Sequence, residues 1–458
     1  MRLPDIGTLR HARLKPLLIK ELWDILSGRS LWTMLLILCP LVGYSFFQAV
    51  ALYSEASAAA RDSPALASGL SPLDGVLVPT FGALYLSTTL LFPFVAIRTL
   101  GHEKESGALQ LLVQLPYRVS TLIVTKLAAI CTAWLISAIP AISALVIWQL
   151  IGGHLYAPES LNLILGQLLY GMLVGAIALF SAAICESSAT AAIMTLAFTI
   201  GSWVLDFALA GQPGLLQWIS HLSLTQTLRS FERGLLSIGL LLGIISAIGV
   251  FSALATLWLH PGTAPRTKVM RSLGCVLILA IALAFAMQIG LSIDVAEDRR
   301  NSFPVADQRA LAEMHDPLII TVHFAPEDPR YVDLRRNVLA KLERVLPDVT
   351  VRLATTGQSM VGSTSDEAYG EVEYSYRGRS ATSRSTSHRE VLPVLYGLAE
   401  KPIPTPLPAE DYPGYPLIAG TDPSLLWFFG VLPPVIVIAW LRSRRAPSIP
   451  WQPHGGLS

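Results

Sequence analysis

The chain has 458 residues, of which 52% are hydrophobic and only 14% are charged, and its mean hydropathy is +0.54. Soluble globular domains carry about 25% charged residues, so this composition indicates a protein that lies mostly in lipid. The formal net charge is +1, and no basic tract with interleaved aromatic residues occurs. The net charge alone says nothing about nucleic acid, but the lack of such a tract excludes a nucleic-acid-binding protein.

The N-terminal residues 1–30 contain more basic than acidic side chains, and this excess places them in the cytoplasm. Within them, the segment Leu14–Leu26 has the apolar spacing of an amphipathic helix. We therefore predict a cytoplasmic interface helix ahead of the first span. Its apolar side is predicted to consist of Leu18, Leu22, Ile25 and Leu26.

Apolar runs of about 20 residues, the length that crosses a hydrocarbon core, recur eight times along the chain. An even number of crossings places both ends on one side, and basic residues at 266–271 and 442–445 mark that side as the cytoplasm. We predict an α-helical polytopic membrane protein with a transmembrane domain over 31–292 and a last transmembrane helix and basic tail over 424–458. The eight spans are predicted near 31–53, 80–100, 120–151, 161–185, 189–209, 235–259, 272–292 and 424–441.

Two small-residue motifs lie inside predicted spans, Gly171-x-x-x-Gly175 and Gly239-x-x-x-Gly243. Such spacing lets helix backbones approach closely, although lipid-facing glycines are nearly as common. Between the fifth and sixth spans, residues 210–234 are too polar to cross alone. We expect an outer-face helix or a re-entrant piece there.

Residues 293–423 form a separate extracytoplasmic domain in this topology. Pro317–Ala325 is a β-branched run that predicts a strand, and Asp328 followed by Pro329 predicts the start of a helix. The element order β-α-β-β-β-α indicates a small α/β layer domain. A Pro-rich run, 402–416, predicts an extended tether back to the last span. The other predicted elements are the helices Tyr331–Val345 and Glu390–Leu398 and the strands Val349–Leu353, Tyr369–Tyr376 and 379–386.

The stretch from Glu103 to Pro116 is the only long polar, amphipathic segment between two apolar spans. Glu103 and Glu105 lie where a helix would begin, because carboxylates there complement the free N–H groups and the positive end of the helix dipole. We predict a short helix across the cytoplasmic mouth of the bundle, which Pro116 ends. From the pattern alone, an amphipathic linker lying on lipid is an equal alternative. The apolar stripe of this helix would consist of Ala108, Leu111, Leu112 and Leu115.

Several motifs of catalytic proteins are missing from the sequence. No phosphate loop of the form G-x-x-x-x-G-K-[ST] occurs, so we expect no ATP in this chain. No H-E-x-x-H or G-x-S-x-G occurs, and no cysteine or histidine pair has ligand spacing, so we expect no metal and no enzyme activity. A Ser–His nucleophile between Ser380 and His388 is an alternative, but a solvated hairpin edge is the better interpretation of these polar residues.

The run that begins Glu103-Lys-Glu-Ser-Gly-Ala-Leu resembles the cytoplasmic signature of the permeases of ABC-2 type exporters. That family has the order acidic–basic–acidic–x–Gly–Thr–Leu–Glu–x–Leu–Leu, then a Pro, then a Lys at the base of the next span. The chain departs from it at Ala108, where the family has Thr, and at Gln110, where the family has Glu. Either change would soften contacts with a partner. The matching positions are Glu103, Glu105, Gly107, Leu109, Leu111, Leu112, Pro116 and Lys126.

The resemblance implies an ATP-driven export mechanism in which residues 101–118 are a cytoplasmic coupling helix. A separate ATP-binding subunit would bind ATP and Mg, and its groove would grip this helix with Glu103 or Glu105 paired to basic side chains. Rigid-body motion would then rock the spans between inner-open and outer-open states. The resemblance also implies a second permease, identical or different, as a dimer partner. It implies a place in the cell inner membrane with both termini in the cytoplasm.

Residues near 300–400 are similar to the auxiliary domain of gliding-motility-type ABC systems. The similarity is carried by Pro317–Ala325, by Tyr369-Gly370 at the start of a strand and by the helix at Arg389-Glu390. It implies a permease fused to a short version of its auxiliary subunit. That domain would receive substrate or bind an envelope partner.

An alternative function from another class is a membrane-anchored binding or signalling protein with no transport activity. In that case the outer domain would be functional and the spans would only anchor it. Eight spans are more than an anchor needs, since one span holds a domain at a membrane. A copurifying chain with a phosphate loop would discriminate the two functions.

Overall fold

A computed structural model describes residues 14–114, 117–208, 224–325, 328–354, 369–405 and 412–445. Seven helices in these ranges are long and apolar enough to cross a membrane, which agrees with a polytopic helical membrane protein. Each is a nearly continuous apolar run, so its backbone groups are paired within the helix as lipid requires. The seven are Arg29–Ala60, Leu73–Glu105, Val119–Leu150, Ala157–Ile184, Ile238–Leu259, Pro265–Ala286 and Asp422–Arg444.

The helices of the first half of the chain include several that continue one another after a short kink. A π-helical turn at Leu73–Leu77 precedes α4. The helices α4 and α5 together form one span, and α7 and α8 together form the next. Kinks of this kind occur at Pro93 and Pro140, near the start of the second helix in each pair. The bounds are α1 Leu14–Ser27, α2 Arg29–Ala60, α3 Pro64–Ala67, α4 Val78–Leu90, α5 Phe92–Glu105, α6 Ala108–Gln114, α7 Val119–Ser137, α8 Ile139–Leu150 and α9 Ala157–Ile184.

The second half contains three more of these seven spans, the apolar helix α10 and a small α/β domain, residues 295–405, which we call the outer domain after its predicted location. The last span consists of α18, a π-helical turn at Leu426–Val431 and α19. The helices are α10 Ser188–Ala208, α11 Leu224–Glu232, α12 Ile238–Leu259, α13 Pro265–Gln288, α14 Val305–Ala312, α15 Pro329–Leu334, α16 Ala340–Val345, α17 His388–Leu398, α18 Asp422–Leu425 and α19 Leu432–Arg445. The strands are β1 Leu235–Ser237, β2 Ser292–Asp294, β3 Leu318–Val322, β4 Val349–Leu353, β5 Val372–Tyr376 and β6 Arg379–Ser383.

The predicted fifth span, 189–209, corresponds to α10, whose apolar part with described side chains is Ser188–Val204. Its first residue is bonded to Glu105 at the end of the second span. Its later residue Ser202 accepts a hydrogen bond from the backbone N–H of Leu224, in the helix α11 that packs on the opposite end of α9. α10 therefore carries the chain from one end of the bundle to the other.

The bundle has two distinct ends, which we name the α6 end and the domain end. The helix predicted at Leu14–Leu26 is confirmed as α1, and it packs beside the start of α7 at the α6 end. The antiparallel pair of β1 and β2 joins the start of α12 to the end of α13 at the domain end, from Leu235↔Asp294 to Ser237↔Ser292. Of the segment 210–234, for which an outer-face helix or a re-entrant piece was predicted, residues 210–223 lie outside the described residues.

Both small-residue motifs lie at helix contacts, as their spacing predicted. A Cβ atom at Gly171 would overlap Trp134, and one at Gly175 would lie 2.7 Å from Ile130 Cγ2 on α7. A Cβ at Gly239 would overlap the backbone carbonyl of Ala286 on α13. These contacts show helices that pack closely rather than glycines that face lipid.

The outer domain has a four-stranded sheet in the order β4-β3-β5-β6, with β3 and β4 parallel and the other neighbours antiparallel. The predicted strands and helices are confirmed, and the Asp328 side chain accepts from Arg330 N as the expected helix cap. One sheet face packs on α15, α16 and α17 around Leu318, Ile320 and Tyr374. α14 was not predicted, and the segment 355–368 between β4 and β5 lies outside the described residues.

Two chain segments hold the outer domain on the bundle. The segment 294–303, named the connector, places Arg300 where its guanidinium bonds Asp74, Asp298 and Ser71. The described parts of the predicted tether, 402–405 and 412–416, are in neither a helix nor a strand. Its last part is also tied to α2, because the hydroxyl of Tyr53 donates to the backbone carbonyl of Tyr415 at 2.7 Å.

Candidate functional site

A buried cluster of charged residues lies at the α6 end, where α1, α5 and α7 meet. Lys126 of α7 is fully buried, and its ammonium group lies 2.9 Å from Glu21 Oε2 of α1 and 2.7 Å from Glu103 Oε2 of α5. It also donates to the backbone carbonyl of Thr99 at 2.6 Å. The contact with Glu103 is an ion pair without hydrogen-bond geometry, so the charge attraction is what joins these two groups.

A second lysine closes the cluster from the surface. Lys20 forms ion pairs with Glu103 and, at 3.1 Å, with Asp24. Burial opposes its charged form, but the bond to Glu103 and the nearby Glu21 outweigh this, so the pKa of Lys20 is raised. Burial raises the pKa of Glu21, and Lys126 opposes that shift. The cluster thus holds three carboxylates with two ammonium groups.

The next two residues of the signature satisfy the ends of two other helices. The Lys104 ammonium donates to the backbone carbonyl of Cys185 at 2.6 Å and to that of Ala183 at 3.2 Å, just at the end of α9. The Glu105 carboxylate accepts from both N and Oγ of Ser188, the first residue of α10, at 3.1 and 2.6 Å. A cation at a helix C-terminus and an anion at a helix N-terminus both complement the helix dipole.

The tripeptide Glu103-Lys104-Glu105 therefore contacts four helices at once. Glu103 holds α1 and α7, Lys104 holds the end of α9, and Glu105 holds the start of α10. The alternating charge order has a physical reason, because the carbonyl end of one helix and the N–H end of the next require opposite charges.

The prediction that a helix begins at Glu103 is wrong. The helix α5 continues the second span and ends at Glu105, so Glu103 and Glu105 lie in its last turn. The apolar run before Glu103 contains no residue that breaks the helix, and the carboxylates are offset by Lys20, Lys126 and the N–H end of α10. Glu103 is only 5% exposed, so it is not available to basic side chains of a partner.

The break in the chain comes at Gly107, whose φ of +75° lies in the left-handed region. Ser106 is the C-cap residue of α5 and still has helical dihedral angles, and α6 begins at Ala108, directly after Gly107. Glycine reaches this conformation without the steric cost that a Cβ imposes. α6 is therefore a separate short helix joined to α5 by a single-residue corner.

Gly107→Ala is expected to lower the free energy of unfolding by about 1 kcal/mol, because alanine is strained at this φ. No neighbouring atom would touch the added Cβ, so the conformational term alone is measured. The control is Gly82→Ala in α4, where the space is also open and φ is ordinary, so the substitution is expected to be stabilising. Denaturation of both variants in mixed micelles tests this; an unchanged Gly107→Ala would contradict it.

The apolar residues of α6 divide between two faces. Leu109 is buried against the bundle, and Leu112 lies half-buried beside Leu17 and Leu122. Leu111 is 68% exposed, so it does not share the buried face. The predicted stripe is therefore split, because Leu109 takes the position that faces the bundle. Leu115 and Pro116 lie outside the described residues.

Sequence reasoning missed Glu21 as a site residue. The predicted apolar side of α1 was Leu18, Leu22, Ile25 and Leu26, but the most deeply buried residues are Leu17, Glu21 and Ile25. These three recur every four residues, which is the spacing of one helix face. An acid inside such an apolar row is the signal that would have identified it.

The three carboxylates of the cluster, Glu21, Asp24 and Glu103, lie close enough together to share a cation. Lys20 and Lys126 already supply the positive charge, so a metal would have to displace them. The arrangement is therefore an ion-pair network that joins helices.

Comparisons with known proteins give no family for the chain. No protein-family model matches it, and no curated protein and no solved structure matches it either. The resemblance to ABC-2 type permeases accordingly remains a prediction based on the residues quoted above. What the structure adds is the geometry of those residues.

Proposed function

We propose that the chain is the permease subunit of an ATP-driven ABC-2 type exporter. The observation that supports this is the arrangement at the α6 end: a short helix with an exposed leucine follows a corner at Gly107, directly after the tripeptide that holds four other helices. A force applied to α6 would reach α1, α7, α9 and α10 through Glu103-Lys104-Glu105. No other short helix at this end has such connections among the described residues.

In this proposal the ATP-binding subunit is a separate chain that binds ATP and Mg, and it contacts the exposed Leu111 face of α6. The carboxylates are assigned a different role from that of the signature-based prediction. Glu103 and Glu105 transmit the motion inside the permease rather than pair with the partner, since both are engaged within the chain. Buried ion pairs suit this role because they have defined partners and break as units.

The proposed placement is the cell inner membrane, with the α6 end and both termini in the cytoplasm and the outer domain outside. Basic residues at the α6 end of the spans support it, among them Arg266 and Arg271 at the start of α13. The described spans also leave large lipid-facing surfaces, and a second permease, identical or different, would cover part of them. The outer domain would then receive substrate or an envelope partner.

Leu111→Asp is expected to reduce copurification of the ATP-binding subunit by about tenfold or more and to abolish its coupled, vanadate-sensitive ATPase activity. The side chain is exposed, so the permease itself should fold normally. Leu66→Asp is the matched control, because Leu66 is a leucine of similar exposure at the domain end, 59% against 68%.

Two results would count against this function. One is that no chain with a phosphate loop copurifies with the unaltered protein, which would favour a membrane-anchored binding protein. The other is that Leu111→Asp and Leu66→Asp behave alike. Co-expression with the neighbouring reading frames supplies the candidate partner for this experiment.

A further inference from the structure

A cleft of about 230 Å³ opens on the side of the bundle at the α6 end, between α5 and the start of α10. The cleft lies on the surface of the bundle, which lipid would surround, and not inside the bundle. Its volume is below the roughly 300–1,000 Å³ of pockets that enclose a drug-sized ligand, so it suits one small group. The cleft is lined by Phe94, Ile97, Arg98, His102, Glu105 and Ser188.

The lining residues of α5 form a gradient from apolar to charged. Phe94, Arg98 and His102 follow at four-residue spacing on one face, so they span about 12 Å along the axis. Phe94 is 47% exposed and lies toward the middle of the span, whereas His102 lies in its last turn. This order matches a membrane lipid, whose chains lie at depth and whose headgroup lies at the surface.

The charge available in the cleft is positive. Its carboxylate, Glu105, is already bonded to the N–H and hydroxyl of Ser188. Arg98 has no carboxylate within 4.0 Å among the residues that the structure describes, so its charge is open to a ligand, and the His102 ring adds a hydrogen-bonding group to the same cleft. A guanidinium group offers paired N–H donors that fit the oxygens of a phosphate.

Arg98 is also held in place. A Cβ at Gly28 would lie 3.2 Å from Arg98 Cζ, so the guanidinium packs on the bare backbone between α1 and α2. The same Cβ would lie 3.1 Å from the carbonyl oxygens of Asp24 and Ile25, near the C-terminal end of α1. The guanidinium therefore lies near the C-terminal end of α1, where the carbonyl groups of a helix favour a cation.

From these observations we infer that the cleft binds the phosphate headgroup of an acidic phospholipid from the adjacent leaflet. Arg98 and His102 hold the phosphate, and an acyl chain lies against Phe94. The cleft shares α5 with Glu103 and contains the Glu105–Ser188 contact, so a bound lipid would stabilise the junction of α5 with α10. The inference does not depend on the transport function.

The test uses the full chain reconstituted in phosphatidylcholine bilayers with a phosphatidylglycerol that carries a photoreactive group on one acyl chain. Irradiation is expected to label the α5 peptide around Phe94. The double variant R98Q/H102Q is expected to reduce this labelling by about tenfold or more. Arg266→Gln removes an exposed arginine at the same end of the bundle, outside the cleft, and should leave the labelling unchanged.

Three outcomes would overturn the inference. Equal labelling by a phosphatidylcholine with the same photoreactive chain would show apolar contact without headgroup recognition. Unchanged labelling of a folded R98Q/H102Q variant would show that the Arg98 and His102 side chains do not bind the lipid. If the lipid does not label α5 and free inorganic phosphate binds in the cleft instead, the cleft would be a site for a soluble anion. Thermal unfolding of each variant confirms that it is folded.

Discussion

Lys126→Met is expected to lower the free energy of unfolding by about 3–5 kcal/mol, the largest effect of any single substitution at the α6 end. The lysine is fully buried, and its removal leaves Glu21 and Glu103 facing each other with only Lys20 to neutralise them. A buried carboxylate without a partner keeps its full desolvation cost, whereas methionine fills the space of the lost side chain. Denaturation in mixed micelles measures the change.

Two further variants make this result interpretable. Lys15→Met removes an exposed lysine of the same helix α1, and it should stay within about 0.5 kcal/mol of the unaltered chain. The triple variant E21Q/E103Q/K126M removes all three buried charges, and it should recover at least half of the stability lost in Lys126→Met. If the triple variant is as unstable as the single one, packing rather than charge accounts for the loss.

The Lys126 result also bears on how the junction works. If the buried charges account for the loss, α1, α5 and α7 are held by attractions that depend on short distances and low local dielectric. A displacement of α5 by a few ångströms would then release Glu103 from Lys126 and Lys20 together. Such a junction has two states, closed and open, which is the property that a coupling element needs.

Much of the architecture could be predicted from the sequence because lipid imposes strong rules on it. Apolar runs of about 20 residues predicted the spans, and β-branched runs with the Asp328-Pro329 cap predicted the outer domain. These signals are local: each depends on neighbouring residues along the chain. The split of a span into α4 and α5 at Leu91 was not predicted, because proline near a helix start does not fix where the preceding helix ends.

The charge cluster could be predicted only in part. Glu103, Glu105 and Lys126 were identified as site residues, but their partners were not, because those partners are distant in sequence. Glu21 is 105 residues from Lys126, and Lys20 is 83 residues from Glu103. Helix dipole reasoning favoured a helix start at Glu103, yet the tertiary ion pairs outweigh the dipole and allow carboxylates in the last turn of α5.

In the outer domain, the chain is expected to become more stable as the pH rises from about 8 to about 10.5, through Lys341. Lys341 is 5% exposed, it lies over the Phe303 ring, and it donates to the backbone carbonyl of Ser302 at 3.2 Å. Burial lowers its pKa from 10.5 to about 8, with Asp294 opposing that shift. Keeping Lys341 protonated therefore costs free energy in the folded state but not in the unfolded state.

The sign follows from proton binding to Lys341. Between about pH 8 and about pH 10.5 the unfolded chain binds more protons at this site than the folded chain, so the free energy of unfolding increases with pH. The span of 2.5 pKa units, the difference between 10.5 and about 8, corresponds to about 3 kcal/mol at most.

Lys341→Met removes the titrating group, so this rise should disappear from the variant. Pulse proteolysis of the outer domain across this pH range, with the variant and the unaltered chain in parallel, measures the difference. Equal slopes for the two proteins would show that Lys341 stays solvated enough to keep its proton, and that the connector does not cover it as closely as its bond to Ser302 indicates.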